Sequence, residues 1–231
     1  MKEFSSKLRL IFGDTILRKR ILITLGLLVI SRILAAIPIP GIDSDHLQAL
    51  FSGNQFLSLL NVFSGGGLSN LSIVMLGVGP YITGSIIMQL LTLMVPKLKA
   101  MYQEEGDAGR RRFTQYSRLL TVPLALLQGF AFITLFQRQS VLGILSPSQL
   151  FVDLMIITAG SMLLVWVGEL ISEFGAGNGV SLIIFAGIVS SLPTNIGQLI
   201  FTFDPAQLPV YLVSIALILV VIFGVVFVTE A

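Results

Sequence analysis

The stretch from Phe56 to Pro96, FLSLLNVFSGGGLSNLSIVMLGVGPYITGSIIMQLLTLMVP, constrains this chain more than any other. Phe56 to Phe63 is apolar but too short to cross a bilayer, and Ser64-Gly65-Gly66-Gly67 then breaks it. Leu71 to Val95 is almost wholly apolar for 25 residues. At about 1.5 Å of rise per residue, that length crosses a hydrocarbon core of about 30 Å. A half-length apolar segment, a glycine hinge and a full span describe a re-entrant element folded back beside its own helix. Irregular backbone at membrane depth is tolerated only where protein covers it or where it lines a water-filled cavity. The expectation is a pore or cavity with a short segment seated in it.

Composition points the same way. Of the 231 residues, 55% are hydrophobic and 11% charged, and the mean hydropathy is +0.94. A soluble domain carries roughly 25% charge and could not hide several apolar runs of this length. The fold class expected is an all-α membrane protein, a polytopic helix bundle. The absence of cysteine rules out disulfides and thiolate metal sites. His46 is the one histidine and reads as a solvated loop residue, so no metal or other cofactor is expected. The first residues, MKEFSSKLRLIFGD, lack the basic, apolar and small-residue order of a cleavable signal and read as mature sequence.

Six spans are expected, besides the re-entrant segment. Residues 1–20 form an amino-terminal segment in which Phe4, Leu8, Ile11 and Phe12 share one helical face, with Lys7 and Arg9 off it. It reads either as a helix lying on the membrane surface or as a basic flank that only sets topology. Ile21–Ile37 is the first span, closed by Pro38-Ile39-Pro40-Gly41. Arg32 inside it must pair, snorkel or face a cavity. Leu71–Val95 is the second span. The highly charged Lys97–Tyr116 loop follows, with Gly106 and Gly109 read as breakers. Residues 117–136 form the third span, and Ser146-Pro147-Ser148 marks a turn. Phe151–Ile171 is the fourth, with Asp153 and Glu169 near opposite ends. A glycine-rich connection through Gly175, Gly177 and Gly179 leads to the fifth, Val180–Ile200, which Pro193, Asn195 and Gln198 weaken. Val210–Thr229 is the sixth. In domain terms, residues 21–201 hold five spans, the re-entrant segment and the charged loop at 96–116. Residues 202–231 add an outer loop and the sixth span.

Orientation follows the basic residues near span ends. Of 14 Lys and Arg, six precede the first span and six lie between Lys97 and Arg118; only Arg32 and Arg138 remain. Twelve of fourteen on one side places both termini and the 97–118 loop in the cytoplasm.

The sequence offers little catalytic chemistry. It holds no HExxH and no GxSxG. Asp153 and Glu169 sit too far apart to share a proton as an aspartyl dyad. Gly175-Ala176-Gly177-Asn178-Gly179 lacks both GxGxxG spacing and a phosphate-loop lysine. An enzyme is not expected. A solute transporter would converge polar groups at the midplane, and such groups are sparse here. Val78 and Ile82 fall at i and i+4 on one helical face. Aliphatic side chains so placed either make a dewetting constriction, closing a pore without gripping what passes, or pack in an ordinary core.

Five runs together resemble the SecY family of protein-conducting channel subunits: IPIPGID (37–43), LLNVFSGGGLSNLSI (59–73), LGVGPYITGSIIMQLL (76–91), EEGDAGRRRFTQYSR (104–118) and GAGNGVSLIIFAGIV (175–189). They lie in order over nearly the whole chain. The resemblance implies a central pore subunit that passes unfolded secretory proteins across the membrane and releases membrane segments into lipid. It implies a plug that seals the resting channel, comprising Phe56, Leu57, Leu60, Phe63, Ser64, Gly65, Gly66, Gly67 and Leu68. Val78, Ile82 and Ile184 match pore-ring positions, and family members often carry isoleucine where Val78 stands. The second and third spans correspond to one side of a lateral gate for signal sequences. Lys97, Lys99, Arg110, Arg111 and Arg112 lie in a loop implied to meet cytoplasmic partners. Those partners are a SecA-type motor ATPase and the ribosome, with SecE- and SecG-type small subunits in the membrane and signal peptides and unfolded chains as substrates. The bacterial inner membrane is the implied location, with the plastid thylakoid as the alternative. The family has ten spans in two inverted halves, so six spans suggest a piece of a longer protein, unable to conduct alone. A non-conducting membrane scaffold, or a truncated translocon-associated protein, is the alternative from another class.

Overall fold

The computed structural model describes residues 14–39, 61, 64, 66–68, 70–139, 142–143, 145–201 and 208–230. Among them are seven helices, α1 (Thr15–Ala36), α2 (Gly79–Met94), α3 (Pro96–Gln103), α4 (Gly106–Arg138), α5 (Pro147–Phe174), α6 (Gly179–Phe201) and α7 (Leu208–Glu230), and all but α3 overlap a stretch expected as a span. Two compact units divide the chain after Ser190. The surface helix or basic flank expected before residue 14, the loop holding His46, and the outer loop after Phe201 lie outside the described residues.

Helix ends follow local chemistry. The Asp14 carboxylate caps α1 by accepting the Ile16 N–H at 2.9 Å. Ser146-Pro147-Ser148, expected as a turn, instead starts α5. The Gln149 N–H donates to the Ser146 hydroxyl, the Ser146 N–H donates to the Gln149 side chain, and Pro147 fills the first turn.

The expectations for residues 71–95 and for Gly109 also need correction. Residues 71–95 are not one helix. Leu71–Val78 run as successive turns, and α2 begins only at Gly79. α2 then ends at Val95, which is extended because the ring of Pro96 disfavours helical backbone before it. There the chain bends by 112° into α3. Second, Gly109 does not break the chain. It sits inside α4, where a Cβ would stand 2.1 Å from the Met101 carbonyl, so α3 and α4 can pack only if it has no side chain.

α4 is 33 residues long and buries a stripe at four-residue spacing: Gly109, Phe113, Ser117, Thr121, Ala125, Gly129 and Ile133. Small residues fill its middle, letting α2 and α5 pack closely on either side. α1 packs on α5 in turn. By length and composition α4, α5 and α7 can each cross a membrane, and α2 with α3 counts as a fourth span if the bent pair is one. α1 is long enough but carries Arg18, Lys19, Arg20 and Arg32. In the second unit, α7 is apolar on every face and its described side chains are almost all exposed, as befits a helix solvated by lipid or by another helix.

Polar pins hold the first unit's helices in register. The Arg32 guanidinium donates to the Ser190 hydroxyl at 3.2 Å and to the Ile183 carbonyl at 3.5 Å, so α6 supplies acceptors for this charge. The Thr24 hydroxyl donates to the Arg20 carbonyl and accepts the Ala176 N–H at 3.0 Å, tying α1 to the connection after α5. Arg118 on α4 pairs with Glu169 on α5. α6 starts hard against α5: a Cβ on Gly179 would stand 1.8 Å from the Gly168 carbonyl, while the Gly179 N–H donates to the Ser172 hydroxyl at 2.8 Å.

Gly179→Ala should lower stability by several kcal/mol, because backbone, not a flexible side chain, blocks the methyl. Gly26→Ala, with nothing within 4 Å of the added carbon, should be neutral or stabilise by up to about 1 kcal/mol. Thermal unfolding of the detergent-solubilised protein would separate the two. A double-mutant cycle on Arg118→Ala and Glu169→Ala should give a coupling of about 1 kcal/mol for this partly exposed pair; zero coupling would mean the two charges act independently.

Candidate functional site

The most buried stretch of the described chain is not helical. From Leu71 to Val78 every residue but Ile73 is buried, and Leu71, Val74, Met75 and Val78 are each about 1% exposed. Buried backbone needs partners, and short-range turns with one extended pairing supply them. The Met75 N–H donates to the Ser72 carbonyl, Gly77 to Val74 and Gly79 to Leu76, at 2.9, 2.8 and 3.2 Å. Residues 37–39 lie antiparallel beside this run: the Ile39 N–H donates to Leu71 at 2.9 Å, and the Ile73 N–H donates to Ile37 at 3.0 Å. The fit is tight enough to hold Leu71 at a φ of +39°, where an L side chain costs on the order of 1–2 kcal/mol.

The run wedges between two apolar clusters. Leu71, Met75 and Leu76 join Leu68, Ala125, Ile133, Phe136 and Ile157 on one side. Val74 and Val78 join Leu164, Val167, Ile171 and Ile183 on the other, with Ile82 and Ile184 partly buried against them. The three positions matched to a pore ring therefore gather in one cluster built by the turn run, α2, α5 and α6. Val78 is the residue just before α2, and Ile82 lies one turn into it, its N–H bonded to the Val78 carbonyl at 3.1 Å.

Of the residues matched to a plug, Ser64, Gly66, Gly67 and Leu68 are described; Phe56, Leu57, Leu60, Phe63 and Gly65 lie outside the described residues. The Ser64 hydroxyl donates to the Asn61 carbonyl and accepts the Leu68 N–H at 3.1 Å. Ser64 and Leu68 line a cavity of about 240 Å³ with Met75, Leu76, Gly79, Ile82, Thr83, Gln128 and Phe132. Its walls are mostly apolar, with the Thr83 hydroxyl and Gln128 amide among them. Sequence reasoning passed over Thr83 and Gln128. The available signal was an uncharged polar residue midway along each of two apolar helices, which only a three-dimensional pairing makes distinctive.

The basic residues matched to partner contacts all stand exposed on α3 and the first turns of α4. Arg110 and Arg111 border a hollow of about 450 Å³ with Asp107, Thr114, Gln115 and Arg118. Arg112 is 3.7 Å from Glu105 on open surface, a pair worth little to stability. Lys97 and Lys99 project from α3, which the sequence reading took as loop.

Comparison with known proteins bears on this arrangement. A family model described as SecY matches residues 72–231. The protein translocase subunit SecY of Corynebacterium glutamicum is 44% identical over 232 residues, covering 95% of this chain and 52% of the relative. That of a Synechocystis species is 41% identical over 220 residues, covering 93% and 49% respectively. The chain thus spans about half the length of the curated relatives it matches. Among solved structures, one described as a protein conducting channel superposes with a TM-score of 0.54 over 77% of this chain and 37% of that one, at 24% identity. That likeness is one of fold. The matched family, the relatives and the apolar helices together establish that this chain is a multi-pass membrane protein belonging to the SecY family.

Proposed function

We propose that this chain forms the amino-terminal part of the pore of a protein-conducting channel, passing unfolded polypeptides across the membrane and releasing apolar segments into lipid. The observation that carries this reading is the convergence of Val78, Ile82 and Ile184 on one apolar cluster beside buried, non-helical backbone. Aliphatic side chains at a narrow point exclude ions by dewetting and grip no particular sequence, which suits a pore whose cargo varies. Residues 56–70 act as the plug that fills the resting pore. α2 and α4 form one side of a lateral gate, and the cavity between them, lined by Ile82, Thr83, Gln128 and Phe132, receives the apolar core of a signal sequence.

In this reading the amino terminus, residues 97–118 and the end of the chain face the cytoplasm of a bacterium, with a plastid thylakoid as the alternative setting. Lys97, Lys99, Arg110, Arg111 and Arg112 then face a SecA-type motor or a ribosome, whose energy drives transport; SecE- and SecG-type subunits accompany the chain in the membrane. The remaining ring positions and the opposite gate wall come from beyond this stretch.

In the assembled channel, Ile82→Asn, Ile184→Asn or deletion of residues 57–68 should each raise ion conductance across planar bilayers several-fold; unchanged conductance in all three would sink the pore assignment. Because the chain has no native cysteine, single cysteines at Thr83 and Gln128 give clean probes. A signal peptide carrying a crosslinker should react at both, whereas a scaffold that only binds translocon subunits would leave both unlabelled. Replacing Arg110, Arg111 and Arg112 together by Glu should weaken binding of a cytoplasmic partner at least about tenfold at low salt and less at high salt.

A further inference from the structure

Two neighbouring residues of α5 meet the buried turn run through backbone carbonyls. Ser161 is fully buried, and its hydroxyl donates to the Gly77 carbonyl at 2.9 Å. At Gly160 a Cβ would stand 2.0 Å from the Ile73 carbonyl, so α5 touches the run there with bare backbone. The Gly77 carbonyl lies outside the α2 hydrogen-bond ladder, whose first rung joins Ile82 to Val78. Gly77 itself has a φ of +58°, and a Cβ there would meet the Ser64 Cα at 3.0 Å. The residue is thus clasped between α5 and Ser64, immediately before Val78.

We propose that Ser161 is a positioning residue that latches Gly77, fixing Val78 in the constriction and Ser64 against it, so that this one hydrogen bond helps set how readily the closed channel opens. The inference rests on the channel reading above and adds a control element to it. A carbonyl buried without a donor loses its solvation uncompensated. The Ser161 hydroxyl prevents that loss only while the turn is seated; once the turn shifts toward the cavity, water can replace the hydroxyl. A neutral hydroxyl–carbonyl bond is strong enough to bias the closed state and weak enough to let it open. Deleting the donor therefore destabilises the closed arrangement more than the open one.

The test is the resting open probability of single channels, measured on the full channel complex in planar bilayers. Ser161→Ala should raise it between about three- and tenfold, the population shift that corresponds to one such bond. A merely structural role would reduce the amount of complex without raising the open probability of each channel. Gly160→Ala pushes on the Ile73 carbonyl and leaves the hydroxyl in place, and it should raise open probability too; should it fail to assemble, Ser161→Ala decides alone. Ile82→Asn serves as the comparison. Leak with Ile82→Asn but wild-type behaviour with Ser161→Ala would overturn the latch and leave the channel reading standing. Wild-type behaviour in both would overturn the channel reading and the latch with it.

Discussion

The structure depends on keeping eight residues of non-helical backbone dry. In a bilayer the ordinary solution is a helix, because it bonds every N–H and C=O within the segment. Leu71 to Val78 instead use turns, an antiparallel pairing with residues 37–39 and a serine hydroxyl from α5. Each substitute works only if its partner sits at the right distance. That is why α5 presents Gly160 and Ser161 to the run.

This arrangement gives the candidate constriction its shape. A continuous helix from Leu71 would distribute its side chains around an axis. The turns instead send Met75 and Leu76 to one cluster and Val74 and Val78 to the other within five residues. Ile82, one helical turn beyond Val78, continues that second surface, and α6 adds Ile184 from the opposite direction in sequence. Polar pins join the elements that carry these clusters: Arg32 to α6, Thr24 to the α5–α6 connection, and Arg118 to Glu169.

Much of this was legible in the sequence. Apolar runs marked where the long helices lie, α4, α5 and α7 most plainly, because hydropathy reports directly on what a bilayer demands. The break at Ser64–Gly67 announced irregular backbone. Its extent was not legible: Leu71, Val74, Met75 and Leu76 satisfy any helical pattern, and only the pairing with Ile37 and Ile39 shows why they are not helical. Gly109 was misread for a related reason. A glycine that breaks a helix and one that admits a neighbouring backbone look alike in one dimension, and the Met101 carbonyl decides between them. Ser161 gave no signal, since a serine inside an apolar helix usually bonds its own preceding turn. The ring, plug and partner residues came from likeness to a family, and the fold adds where the described ones sit.

The central claim is that a moving polypeptide passes the surface formed by Val78, Ile82 and Ile184. The most direct measurement is crosslinking from a substrate chain stalled midway through the assembled channel to single cysteines at those three positions, with Leu90 on the exposed face of α2 for comparison. The account predicts crosslinks at all three and none at Leu90. Silent ring positions beside a reactive Leu90 would contradict it, placing the path of the chain outside this cluster.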